Sequence, residues 1–369
     1  MLRKGTFILM KTKIQDMTSG SPGRLIILFA IPLMLGNICQ QLYTMVDTMV
    51  VGQVAGVEAL AALGAVDFLM WVVTGISTGL TQGFSIQLSQ YYGAKDFENL
   101  RKSLAHSYRL TAFIAAGVLI LSQSFASLVL TGLHTPSNII GMSLLYLRII
   151  FCGIPATAAY NMFASALRAM GNSKTPLTAM IIASVLNVSL DILFVAGFGW
   201  GVAGAAIATV IAQSFSAVYC FLILRRIDIV HLTRADFMPA SGMNARLMKL
   251  GIPVVFQNII IGVGGLVVQY VINGYGFLFV AGFTATNKLY GLLEMAAISY
   301  GYAIVTYVGQ NLGAGKIDRI RKGVRSSMLL SLLTSLLISA AMFLFGKNIL
   351  SLFISGEPQQ TQQVLAIAF

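Results

Sequence analysis

The stretch Arg24 to Val50, RLIILFAIPLMLGNICQQLYTMVDTMV, decides the fold. Beyond Arg24 its only charged residue is Asp47. A helix of this length, rising about 1.5 Å per residue, crosses a hydrocarbon layer of about 30 Å. Apolar runs of similar length recur at roughly 57–90, 104–130, 139–165, 176–197, 202–224, 248–272, 278–308 and 326–346, and another starts near 361. The composition agrees: 57% of residues are hydrophobic and only 10% charged, against about 25% charged in soluble domains. Backbone groups in lipid must be paired within a helix or a closed barrel, and the runs lack the alternation of barrel strands. The chain is therefore read as an all-α, polytopic membrane protein.

A net charge of +12 would suit nucleic acid, but its placement argues for membrane orientation and against a nucleic-acid partner. If the start is cytoplasmic, 21 of the 24 Lys and Arg fall on the cytoplasmic side, in the groups Arg3 to Arg24, Lys95 to Arg109, Arg168 to Lys174, Arg225 to Lys249 and Lys316 to Arg325. The outer loops hold only Lys347, while Arg148 and Lys288 lie inside spans. That asymmetry is the positive-inside pattern and places the N-terminus in the cytoplasm. Cys39, Cys152 and Cys220 are scattered through apolar segments and form neither a disulfide framework nor a metal spacing.

The chain also matches itself. At a shift of 221, Ile31-Pro32 falls on Ile252-Pro253 and Asn37 on Asn258; at 220, Gln90 falls on Gln310, Gly93-Ala94 on Gly313-Ala314 and Arg101-Lys102 on Arg321-Lys322. About six spans separate the copies, an even number, so both have the same orientation, as in secondary transporters built from parallel repeats. The expected organisation is a cytoplasmic tail at 1–23, a first lobe at 24–225, a cytoplasmic linker at 226–246 and a partial second lobe at 247–369. By this arithmetic the second copy lacks equivalents of the fifth and sixth spans, and the chain is read as truncated.

Four stretches carry a family resemblance: DMTSGSPGRLIILFAIPLMLGNICQQLYTMVDTMVVG from Asp16 to Gly52, RAMGNSKTP from Arg168 to Pro176, GWGVAGAAIATVIAQ from Gly199 to Gln213, and GQNLGAG from Gly309 to Gly315. With them the chain resembles the multidrug and toxic compound extrusion (MATE) family, in the bacterial branch of the DNA-damage-inducible proteins. The resemblance implies two six-helix lobes in a bacterial cytoplasmic membrane. It also implies export of organic cations or other amphiphilic drugs against inward proton or sodium flow, by a monomer with no cofactor.

Ionisable residues inside a membrane are expensive, so each is a functional candidate. Asn187 and Asp191, spaced i and i+4, share one helix face about 6 Å apart. Counted along their spans, Asp47, Asn187, Asp191 and Thr209 lie at similar depths, roughly 6 to 16 Å from the outer ends. The family resemblance places its cation site on residues matching these four. Two carboxylates in a weakly hydrated cavity stay charged together only with compensation, so either one carries a proton or a cation such as Na⁺ sits between them. The alternative is a hydrogen-bonded cluster that only holds the lobe together.

Pro32 breaks the hydrogen-bond ladder of the first span, and the resemblance makes it a candidate hinge for moving Asp47. Gln40, Tyr43 and Met45, close to Asp47 in sequence, are expected to line the substrate cavity, with Glu294 there to attract a cationic substrate. Asp67 is ranked lower, near the outer water, and Arg148 is read as structural. The column under Asp47 in the second copy is Val268, so coupling looks asymmetric. A lipid-linked oligosaccharide flippase is the competing function, but it calls for several intramembrane cations, and only Arg148 and Lys288 are present. A membrane enzyme is disfavoured because His106, His134 and His231 fall at span ends or in loops, with no nucleophile and base together.

Overall fold

The computed structural model describes residues 14–133, 135–273 and 277–351; the expected span start near 361, residues 1–13 and the side chain of Lys288 lie outside the described residues. The described chain folds into helices α1 (Pro22–Val54), α2 (Val57–Gly93), α3 (Phe97–Gly132), α4 (Ile140–Cys152), α5 (Ile154–Ala169), α6 (Lys174–Asp191), α7 (Gly201–Arg225), α8 (Met243–Asn273), α9 (Phe277–Gly313) and α10 (Ile317–Ser351). Six of the helical segments are long and apolar enough to cross a membrane, and two further spans follow if each bent pair counts as one. One bent pair is α4 with α5, which turn by 45° about Gly153 where the sequence predicts a single span. A side chain at Gly153 would run into Val210 and the Ile150 carbonyl, so the bend and the close approach of α7 both depend on glycine. The turns at 94–96, 170–173, 226–242 and 314–316 gather on what we term the basic face; those at 55–56 and 198–200 lie at the other, far face.

The repeated residues meet one another. Gly93 lies against the backbone of Gln310, and Gly313 against the backbone of Gln90, so a side chain on either glycine would collide. A shift of 220 exchanges these two contacts. Gly309 meets its own counterpart, Ser89, which puts a pseudo-two-fold axis between α2 and α9. Gly83 touches Gly251, and their counterparts Ala303 and Ala30 are both buried in one apolar cluster with Phe29 and Tyr307. The repeated asparagines also cross between the copies: Asn258 Nδ2 donates to the Gly75 carbonyl at 3.1 Å, and Asn37 Nδ2 to Ser299 Oγ at 3.1 Å. Small residues that let backbones touch, with a few interhelical hydrogen bonds, hold helices together where lipid removes the hydrophobic drive.

Residues 14–21, expected to belong to a tail, form a packed strap between the copies. Met17 is fully buried. Its N–H donates to Gln310 Oε1 at 3.0 Å, and its carbonyl accepts from Asn311 Nδ2 at 3.0 Å. Lys316 Nζ donates to the Thr18 carbonyl and Arg319 to the Gly20 carbonyl, both at 2.9 Å. On the other side, Gln15 N–H donates to the carbonyl of Gly171, whose φ of +88° and contact with the Gln15 backbone require glycine. The linker after α7 is tied down as well, with Arg109 donating to the Phe237 carbonyl at 2.9 Å and the His106 ring between Asn244 Oδ1 and the Met238 carbonyl. Burying a Met side chain stabilises by about 1.5–3 kcal/mol. Met17→Ser is therefore expected to lower the thermal midpoint of the detergent-purified chain, whereas Thr18→Ser, at a position held through its backbone, should leave it near the wild-type value.

Candidate functional site

Near the far-face end of α1, the chain places Asp47 seven residues before Val54 and buries it to 6% exposure. Asn187 and Asp191 occupy the last turn and a half of α6 on one face, both at 0% exposure. Directly after Asp191 the helix widens into a π-helical turn, Ile192–Gly197. Such turns leave backbone groups out of the regular ladder and recur at functional sites. Asn187 Nδ2 donates to Thr209 Oγ1 of α7 at 3.4 Å. Asp47 and Thr209 line a cavity of about 290 Å³ together with Tyr43, Thr44, Thr48, Asp67 and Tyr146, among others. Asp191 lies close enough to Asp47 for their charges to interact. The four residues that the depth count groups are thus one cluster on three helices.

The cluster is rich in acceptors and poor in donors. Asp47 Oδ1, Asn187 Oδ1 and both carboxylate oxygens of Asp191 are buried with no hydrogen-bond partner among the described residues. A buried polar atom left unpaired costs on the order of 1–3 kcal/mol, more for a charged group. Among the described residues no Lys, Arg or His lines the cavity. Oxygen ligands of this kind suit a proton or a hard cation such as Na⁺.

Of the other expected cavity residues, Tyr43 lines this cavity and accepts from Gln213 Nε2 at 3.5 Å. Gln40 is exposed on α1, Met45 is half-buried, Glu294 is exposed on α9, and none of them lines it. Pro32 is buried within α1, four residues beyond Leu28, whose carbonyl it leaves without its usual donor. Arg148 is exposed on α4, and its carbonyl accepts from Gln123. Two contributors escape the sequence reading. Tyr146 is an aromatic in an apolar helix and looks like packing. Gln213 is legible in principle, since it is a polar residue within a span and its Oε1 is buried without a partner.

The family model described as MatE matches residues 32–193 and 253–369. The chain belongs to the MATE family. It is a transporter and not an enzyme. A probable multidrug resistance protein of Bacillus subtilis (strain 168), YpnP, is 31% identical over 346 residues, which cover 94% of this MATE chain and 77% of the relative. The probable multidrug resistance protein NorM of Thermotoga maritima is 26% identical, covering 90% of this chain and 72% of that protein. Among solved structures, a MOP superfamily transporter from Pyrococcus furiosus superposes with a TM-score of 0.90 at 23% identity, covering 97% of this chain and 79% of that one. At that identity the likeness speaks for the fold. An ion that binds the native site and not the unfolded chain stabilises by about 2.7 kcal/mol at a hundred times its dissociation constant. The thermal midpoint of the MATE chain is accordingly expected to rise with Na⁺ or with acid, and Asp191→Asn to flatten that response.

Proposed function

We propose that this MATE chain is a secondary active multidrug efflux transporter, exporting organic cations or other amphiphilic compounds in exchange for H⁺ or Na⁺ by alternating access. The carrying observation is the set of buried acceptor oxygens on Asp47, Asn187 and Asp191 that no donor in the described protein satisfies. Held in a medium of low dielectric constant, such a set takes up a positive ion or a proton, and its energy then depends on which conformation encloses it. Drug binding to the opposite conformation would exchange one cargo for the other. The names of the relatives, multidrug resistance proteins, support the substrate class.

The reading places the basic face in the cytoplasm, following the positive-inside rule, of a bacterial cytoplasmic membrane. It takes the lobes as 24–225 and 247 onward, joined by 226–246, in a monomer. The close glycine contacts and the strap, both at the basic face, support a state closed towards the cytoplasm. Towards the far face Trp71 on α2 and Val267, Val268 and Val271 on α8 stand exposed, which supports an opening between the lobes on that side. Gln40, Met45 and Glu294 are proposed for the wider substrate path, and Pro32 for the bend that lets α1 respond to the charge of Asp47. An oligosaccharide flippase is not favoured: among the described residues the cavity is lined by two acids, hydroxyls and apolar side chains, with no cation for a pyrophosphate.

In proteoliposomes, ethidium transport driven by an imposed sodium or proton gradient should fall to background in Asp47→Asn and in Asp191→Asn. Full retained transport in both variants overturns the coupling role. Sodium removal and an uncoupler, applied separately, identify the ion.

A further inference from the structure

The strap before α1 is carried by the first copy and seated in the second. It runs straight into α1, and ahead of Met17 the Gln15 N–H is bonded to the Gly171 carbonyl, in the turn between α5 and α6. That turn is itself stiffened: Asn172 Oδ1 accepts from the Thr175 N–H at 3.0 Å, and Asn172 Nδ2 donates to Thr175 Oγ1 at 2.9 Å. Between these two anchors the Met17, Thr18 and Gly20 carbonyls are held by Asn311, Lys316 and Arg319 of the second copy. The fully buried Gln310 works in both directions, accepting from the Met17 N–H at 3.0 Å and donating its Nε2 to the Ala169 carbonyl of the first copy at 2.9 Å. Beside Ala169, the Arg168 guanidinium lies over the Tyr302 ring of α9, 4.8 Å from its centroid. The Met17 side chain is buried in the apolar cluster where α1 meets α9, with Phe29, Ala30, Tyr300 and Tyr307.

We propose that this strap is the bolt of the basic-face gate, with Gln310, Asn311 and Arg319 as its seat: opening towards the basic face withdraws Met17 from the second copy, and closing returns it. This rests on the reading of the chain as an alternating-access carrier. A buried amide whose donor and acceptor both lose their partners costs free energy until water reaches them, so the bolt favours the closed gate. Its place in the fold links it to the acids. The strap leads into α1, which carries Asp47, and the Gly171 turn leads into α6, which carries Asp191. The two helices that hold the buried acids near the far face are therefore tied together again at their other ends, by Gln15 and Gly171.

The test uses the full chain in proteoliposomes, with Cys39, Cys152 and Cys220 replaced and Ser89→Cys as the reporter. Ser89 is fully buried against Gly309 at the pseudo-two-fold axis, so N-ethylmaleimide reaches a thiol there only when the basic face opens. Gln310→Leu and Met17→Ser are each expected to raise the labelling rate on the order of tenfold, and Thr18→Ser to leave it unchanged, all measured well below each variant's thermal midpoint. In a second arm, Thr18→Cys and Lys316→Cys, without the reporter, are bridged by a bis-methanethiosulfonate; ethidium transport should stop and return on reduction. Labelling rates that Gln310→Leu and Met17→Ser both leave at the parent value overturn the bolt, as does undiminished transport by the bridged chain. If the Ser89→Cys parent stays unlabelled while it transports ethidium, the failure lies with alternating access at this face and not with the bolt.

Discussion

A carboxylate in a low-dielectric interior has to be compensated, and in this protein the compensation is not built from protein donors. Around Asp47 and Asp191 the described chain supplies acceptors, hydroxyls and one amide whose N–H₂ is spent on Thr209. A permanent partner such as Arg would make the cluster a static ion pair. Among the described residues the oxygens instead stay open. The π-helical turn after Asp191 and the approach of α7 at Gly204, packed against Phe194, hold the acid where α1 can reach it.

The packing between the repeats is of a different kind. At the basic face, equivalent positions meet across a pseudo-two-fold axis with backbone against backbone. Such contacts are close and involve few long side chains. The strap adds an asymmetric closure on one side: Asn311 and Arg319, which hold it, stand in columns occupied by Tyr91 and Asn99 in the first copy. The acid is asymmetric too. Both copies keep the Ile-Pro and Asn columns, yet Val268 stands where the first copy has Asp47. The first copy thus carries a buried acid that the second lacks at the matching position.

The spans, the repeat and the depth of the polar residues were legible in the sequence because each follows from a one-dimensional rule. Lipid demands about 20 apolar residues per helix, a duplicated unit keeps its order, and depth is a count multiplied by the rise per residue. Asn187 and Asp191 share a face for the same reason. The contacts between elements obey no such rule. That Asp47 meets Asp191, that Asp67 and Tyr146 join Asp47 in one cavity, and that Gln213 reaches Tyr43 are consequences of how α1, α2, α4, α6 and α7 are arranged about one another. The sequence likewise marked Gly93 and Gly313 as repeated, but only the packing shows that each is pressed against the Gln of the other copy. Met17 looked like part of a tail, because nothing within 16–20 announces the Gln310, Asn311 and Arg319 side chains that fold over it. Composition and spacing determined a helical transporter with costly acids at one level; tertiary structure decided which of those acids share a cavity, since charge interactions depend on separation in space and not along the chain.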